Sequence, residues 1–193
     1  MMDNYRNGIY PPGAKDAYEH DGIVAFLPLV AQQSPNLDFE KLKSAIKLST
    51  QFPFSIGHHL VEAELLSKFI EGSKTPIDDV KNRFYDTMLY QEIMAVEKGI
   101  ADGIDSKKLV KKFGMACELP GSFMGSLVCI IRAQNYAEGI RETIHSSGAL
   151  CARSNYVGAC LGAKFGIQGI PMEWMERVEG VDKIIENSIK VFS

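Results

Sequence analysis

Apolar residues recur along this chain at the three- and four-residue spacing of one helix face after another. From Asp16 onward, Ile23, Val24, Leu27 and Val30 predict a first helix, kinked at Pro28 and ended by Ser34-Pro35-Asn36. Asp38 is a good N-cap for a second, carrying Phe39, Leu42, Ile46 and Leu48 and stopped by Pro53. A third is expected over residues 59–72, with Leu60, Ala63, Leu66, Phe69 and Ile70 on its apolar face and Gly72 as C-cap. Thr75-Pro76 opens a long segment over 76–101, striped by Val80, Phe84, Thr87, Met88, Gln91 and Ala95, which is one helix or two with a bend.

Asp105-Ser106 starts a shorter helix with Leu109, Val110 and Phe113, and Leu119-Pro120-Gly121-Ser122 turns the chain into another over 123–133. Residues 136–145 follow, then 151–165, where Gly158 and Gly162 with Ala159 and Ala163 form a small-residue face suited to a crowded centre. Gly166 closes that segment, and Ile170-Pro171 leads into short helices over 173–178 and 181–192. Gly8, Pro11, Pro12 and Gly13 make residues 1–15 an irregular arm. No segment alternates with period two and no repeat is visible, so the pattern predicts an all-α fold in a single domain, residues 1–193.

Composition narrows the partners. The chain has 193 residues, 46% hydrophobic and 23% charged, which is enough for one core that buries roughly 70% of the unfolded surface. With 21 Lys and Arg against 24 Asp and Glu, and no basic run, nucleic acid is not expected as a partner. No apolar run approaches the roughly 20 residues of a membrane span, and the polar, Pro/Gly-broken start does not resemble a signal peptide. Cys117, Cys129, Cys151 and Cys160 show no CxxC spacing and are expected to pack as reduced thiols in apolar surroundings. Together these features predict a cytoplasmic protein.

Few residues stand out chemically. Glu19 and Asp21 read first as residues of a first helical turn, where the dipole favours negative charge, with a metal role as the alternative. His20 reads first as a surface residue, with ligand and general base as alternatives. His58-His59 is expected at a helix start, and Glu62, Glu64, Asp78 and Asp79 on solvated helix faces. Ser146 and Ser147 precede the small-residue helix, where they cap it or help its amides hold an anion. His145 is the histidine nearest to them.

The run LPGSFMGSLVCIIRAQNYAEGIRETIHSSGALCARSNYVGACLGAKFGIQGIPMEW, residues 119–174, resembles the C-terminal half of an ADP-ribosylglycohydrolase. In that family two such helices lead into a glycine-rich metal loop, a small-residue helix and an Ile-Pro-x-x-Trp turn, matched here by Ile170, Pro171 and Trp174. Within it, the chain resembles the branch of the J-type lens crystallins, whose loop reads Gly-Gly-Asp, a variable residue, then Cys-Ser-Arg. Cys151 and Arg153 match, as do Lys112-Phe113-Gly114 and Ala116-Cys117 before the turn. The likeness is good from about Asp105 onward, and residues 10–21 are similar to the family's earlier acidic loop.

The resemblance implies a compact orthogonal multi-helix bundle, N-terminally short, because the family's opening helices have no counterpart ahead of that acidic loop. It also implies magnesium held by carboxylates of the early and late loops, hydrolysing the glycosidic bond of an ADP-ribosylated substrate. Magnesium is a hard ion that takes oxygen ligands, and nearby carboxylates stabilise the oxocarbenium-like centre that develops. Aligning on Gly148, Cys151 and Arg153 puts Ala149 where the family has its metal-binding aspartate. Glu19 and Asp21 then remain as candidate catalytic and metal-binding residues, and Ser146, Ser147, Gly148, Cys151 and Arg153 as candidate ligand-binding residues. Cys151 reads more simply as a buried packing residue than as a ligand or nucleophile. Two readings of function follow: an impaired family member serving as a structural, crystallin-like or ADP-ribose-binding protein, and an active magnesium-dependent hydrolase. Apolar faces left by the missing helices suggest self-association or a covering partner.

Overall fold

The computed structural model describes residues 2–191; Met1, Phe192 and Ser193, and with them the last residue of the expected terminal helix, lie outside the described residues. Among these the fold is helical throughout, with two isolated β-bridges, Ala14 to Thr50 and Glu19 to Glu118, and no strand. The arm expected over residues 1–15 is not wholly irregular. Met2–Arg6 forms a short helix, α1, with Asp3 and Arg6 at favourable ends of its dipole, and the chain is irregular only from Asn7.

The first predicted helix divides. His20–Phe26 is a 3-10 turn and α2 begins at Leu27–Gln33, so Pro28 sits in the opening turn, where its missing N–H costs nothing, rather than at a kink. Asp38 caps α3, Phe39–Ile46, accepting from the Lys41 amide at 3.0 Å. Pro53 opens the next helix instead of merely ending the last, and α4 runs Pro53–Ile70. The 76–101 segment is two helices, α5 (Pro76–Arg83) and α6 (Met88–Ala101); Thr87 caps the second by accepting from the Tyr90 amide at 3.3 Å. Asp105 and Asn135 cap α7 (Ser106–Phe113) and α9 (Tyr136–His145), on either side of α8 (Gly121–Arg132). α10 (Leu150–Phe165), α11 (Met172–Met175) and α12 (Val181–Val191) complete the chain.

α4 and α8 are the inner helices. α4 is packed by α2, α3, α5 and α10, and α8 by α6, α7, α9 and α10. Their shared core includes Val61, Leu65, Phe123, Leu127, Tyr156 and Leu161. Gly162 of α10 has open space where a Cβ would stand; the glycine crowded against this helix from α9 is Gly139, where a Cβ would overlap Leu161. Gly162 instead lines an apolar groove of about 730 Å³ between α2, α4 and the terminal α12. No helix among the described residues is long and apolar enough to cross a membrane.

Candidate functional site

Three loops meet at one end of α4 and α10. The early loop runs antiparallel to residues 117–119: the His20 amide donates to the Cys117 carbonyl and the Leu119 amide to Tyr18, each at 2.8 Å. Two residues upstream, the Met115 carbonyl accepts from the Ala149 amide at 2.8 Å. The segment 115–119 therefore ties the early acidic loop to the late glycine-containing one, a link between distant parts of the sequence that local pattern could not reveal.

Glu19 and Asp21 are exposed and line a common cavity of about 390 Å³ with Gly22, Thr50 and His59. His20, between them, points the other way and is fully buried, not on the surface as expected. Its Nδ1 lies 2.8 Å from Ser122 Oγ and its Nε2 3.1 Å from Glu62 Oε1, the second a close contact without hydrogen-bond alignment. His59 Nδ1 donates to the other carboxylate oxygen of Glu62 at 2.8 Å, and the Tyr156 hydroxyl donates to the Glu62 carbonyl at 2.9 Å.

Glu62 is thus no solvated helix residue. It is 0% exposed, because α4 carries apolar residues on every face and has no outer side. Burial by itself would raise its carboxyl, but the imidazoles of His20 and His59 outweigh burial and lower it to about 2. Serine, histidine and glutamate in successive contact suggest a nucleophile relay, yet the histidine–glutamate contact is not a hydrogen bond and Ser122, His20 and Glu62 are all sealed from any substrate. Like His20 Nε2, His59 Nε2 has no hydrogen-bond partner; it faces Gly22, where a Cβ would come within 2.7 Å of it.

His58 is also buried inside α4 rather than at its start. Its Nδ1 lies 2.9 Å from the Phe54 carbonyl and its Nε2 2.9 Å from Glu92 Oε2. Both acceptors demand a ring proton, so the arrangement favours the imidazolium. Burial opposes that charge, but the Glu92 carboxylate and the Phe54 carbonyl prevail and raise the pKa above its ordinary value. Glu64, expected on a solvated face, is buried too and pairs with Arg83 at 2.9 Å. Asp78 holds Lys81 at 2.7 Å and Asp79 accepts from Ser73 at 2.6 Å.

In the late loop Ser147 and Gly148 have φ of 64° and 81°. A Cβ at Gly148 would strike the Met115 carbonyl, so glycine is needed there for both backbone and space. The five ligand-binding candidates separate: Gly148 and Cys151 are exposed and Ser147 half-buried, whereas Ser146 and Arg153 are sealed beneath. Cys151 is therefore not a packing residue, and Cys117 is likewise exposed; Cys129 and Cys160 alone fit the apolar expectation. Arg153 reaches under the loop and donates from Nη2 to the Ser147 carbonyl. His145 is exposed at the end of α9. Among the described residues no group of three or more His, Cys, Asp or Glu is arranged to hold a metal ion.

The ADP-ribosylglycohydrolase family model matches residues 25–192. Crystallin J1A of Tripedalia cystophora is 29% identical over 175 residues, covering 89% of this chain and 53% of its own length. Crystallin J1B of the same organism is 27% identical over 180 residues, 91% of this chain and 55% of its own. A solved structure titled ADP-ribosylglycohydrolase-related protein complex shares the fold at a TM-score of 0.72 and 15% identity, covering 99% of this chain and 65% of that one. The chain spans about half the length of the curated relatives it matches.

Proposed function

The chain belongs to the ADP-ribosylglycohydrolase family, and from that premise we propose that it is a catalytically impaired member, serving as a structural, crystallin-like protein or as a binder of ADP-ribose or a related nucleotide. The observation that carries this reading is the chemistry of the late loop. Ala149 offers a methyl group where the resemblance calls for a carboxylate, its amide is committed to Met115, and the Ser147 carbonyl is engaged by Arg153. A guanidinium directly beneath the loop repels a second cation, and Cys151 is a soft donor poorly suited to magnesium. This donor set does not fit a magnesium site.

The residues present fit binding better than turnover. Gly148 and Cys151 on the exposed side of the loop, at the start of the long α10, can meet a negatively charged group, which the positive end of the helix favours. Magnesium-dependent release of ADP-ribose from several linked substrates tests the reading: the purified chain should show none, and robust turnover would sink it. Calorimetry with ADP-ribose tests the binding arm.

One observation favours the active alternative, since Glu19 and Asp21 face one cavity with His59. If those carboxylates hold the metal and do chemistry, Glu19→Ala and Asp21→Ala must abolish both magnesium binding and activity. Unchanged calorimetric traces would dispose of that alternative.

A further inference from the structure

Arg153 carries a positive charge into a place closed to solvent, at 0% exposure. Only its Nη2 is engaged, by the Ser147 carbonyl; Nε and Nη1 have no partner. The hydroxyl of Ser146, sealed beneath the same loop, has none either. These are two separate residues, on either side of the 147–149 loop, with donors left over in the interior.

No carboxylate pairs with Arg153; Glu142 of α9 is felt at the neighbouring Cys129 but not at the guanidinium. α8 presents Gly125, whose lack of a side chain makes room for the arginine, since a Cβ there would stand 3.1 Å from Arg153 Cδ. It also presents Cys129, beside the Thr143 and Ser146 hydroxyls of the α9 side. Thr143 spends its proton on the Gly139 carbonyl at 2.9 Å. Burial pushes the Cys129 thiol up, so it stays protonated at neutral pH and is no counter-ion. α10 makes matters worse, because Arg153 lies in its first turn, at the positive end of a 16-residue dipole.

A buried ion without a counter-charge is strongly unfavourable, and apparently orphaned buried donors are as a rule met by water or an ion. Water satisfies hydrogen bonds but not charge. A phosphate-like dianion brings more acceptor oxygens than there are donors, whereas a spherical halide takes several N–H and O–H groups without a fixed geometry. We propose that Arg153 Nε and Nη1 together with Ser146 Oγ form a buried site for a small monovalent anion of the chloride class, beneath the 147–149 loop. The site goes beyond the nucleotide reading, whose contacts lie on the loop's outer side, and stands without it.

The test is thermal melting at constant ionic strength and sodium concentration in chloride, bromide or gluconate, with crystals grown in bromide. Halide should raise the melting temperature over gluconate by about 4 °C and saturate, and bromide should give an anomalous peak within hydrogen-bonding distance of Arg153 and Ser146. Arg153→Met should abolish the halide dependence; if it fails to fold, Ser146→Ala should weaken that dependence severalfold. Equal melting in chloride and gluconate with no bromide peak overturns the proposal. So does displacement of bromide by ADP-ribose, which would make the site the seat of a nucleotide diphosphate. Bromide retained while ADP-ribose fails to bind supports the anion site and removes only the nucleotide reading.

Discussion

Glu62 governs how the interior responds to acid. Its carboxyl titrates near 4.5 when free and at about 2 in the fold, so the stability it contributes is present above 4.5 and is lost as pH falls from there towards 2. The shift corresponds to a contribution on the order of 3 kcal/mol. Glu62→Gln should flatten the acid limb of a chemical-denaturation series over that window and cost roughly 3–5 kcal/mol at neutral pH, because two buried imidazoles lose their partner. His58 works in the opposite direction. Its pKa is raised, so its contribution is complete below 6.5 and disappears as pH rises through the folded value. Glu92→Gln should therefore remove a loss of stability on the alkaline side of 6.5, read by the same titration. Gly148→Ala sets the methyl against the Met115 carbonyl at a positive φ and should destabilise by about 1–3 kcal/mol.

At the scale of helices, local chemistry was a reliable guide where a side-chain cap marks a start, whereas the breakers Pro28 and Pro53 open helices instead of kinking or merely ending them. Asp38, Asp105 and Asn135 each bond an amide three residues on, and each had its helix placed correctly from sequence. Asn135→Ala should cost about 1 kcal/mol in equilibrium denaturation. What was not legible is what those helices do to one another. His20 meets Ser122, 102 residues away, and Tyr156 meets Glu62, 94 residues away, so nothing in a short window signals that these polar groups are inside. One clue was available: Leu60, Val61, Ala63, Leu65 and Leu66 leave α4 without a polar face, so any charge among them had to be buried. The glycines misled for a related reason. Gly158 and Gly162 are spaced for close packing, but the neighbour that needs room is Leu161, and it presses on Gly139. Gly139→Ala should destabilise by roughly 1–3 kcal/mol on thermal melting, whereas Gly162→Ala should not.

Taken as a whole, the molecule keeps its charged network in the centre and an apolar groove at its edge. α12 has no buried residue and rests mainly on α2, with Ile184 and Ile189 exposed. Deleting residues 181–193 should leave cooperative melting intact while increasing binding of an apolar dye to the groove of Leu27, Leu66 and Ile70. Retained dye-free behaviour in that variant would mean the groove is not uncovered. Tyr156 offers a view of the same architecture from inside. Its hydroxyl is wedged against the Glu62 carbonyl in full burial, and burial holds its pKa well above the ordinary tyrosine value. In a strongly alkaline solution, then, this phenol cannot turn into the coloured phenolate until the helices part. A spectrophotometric titration carries its own clock for that event, as a late, abrupt step in ultraviolet absorbance.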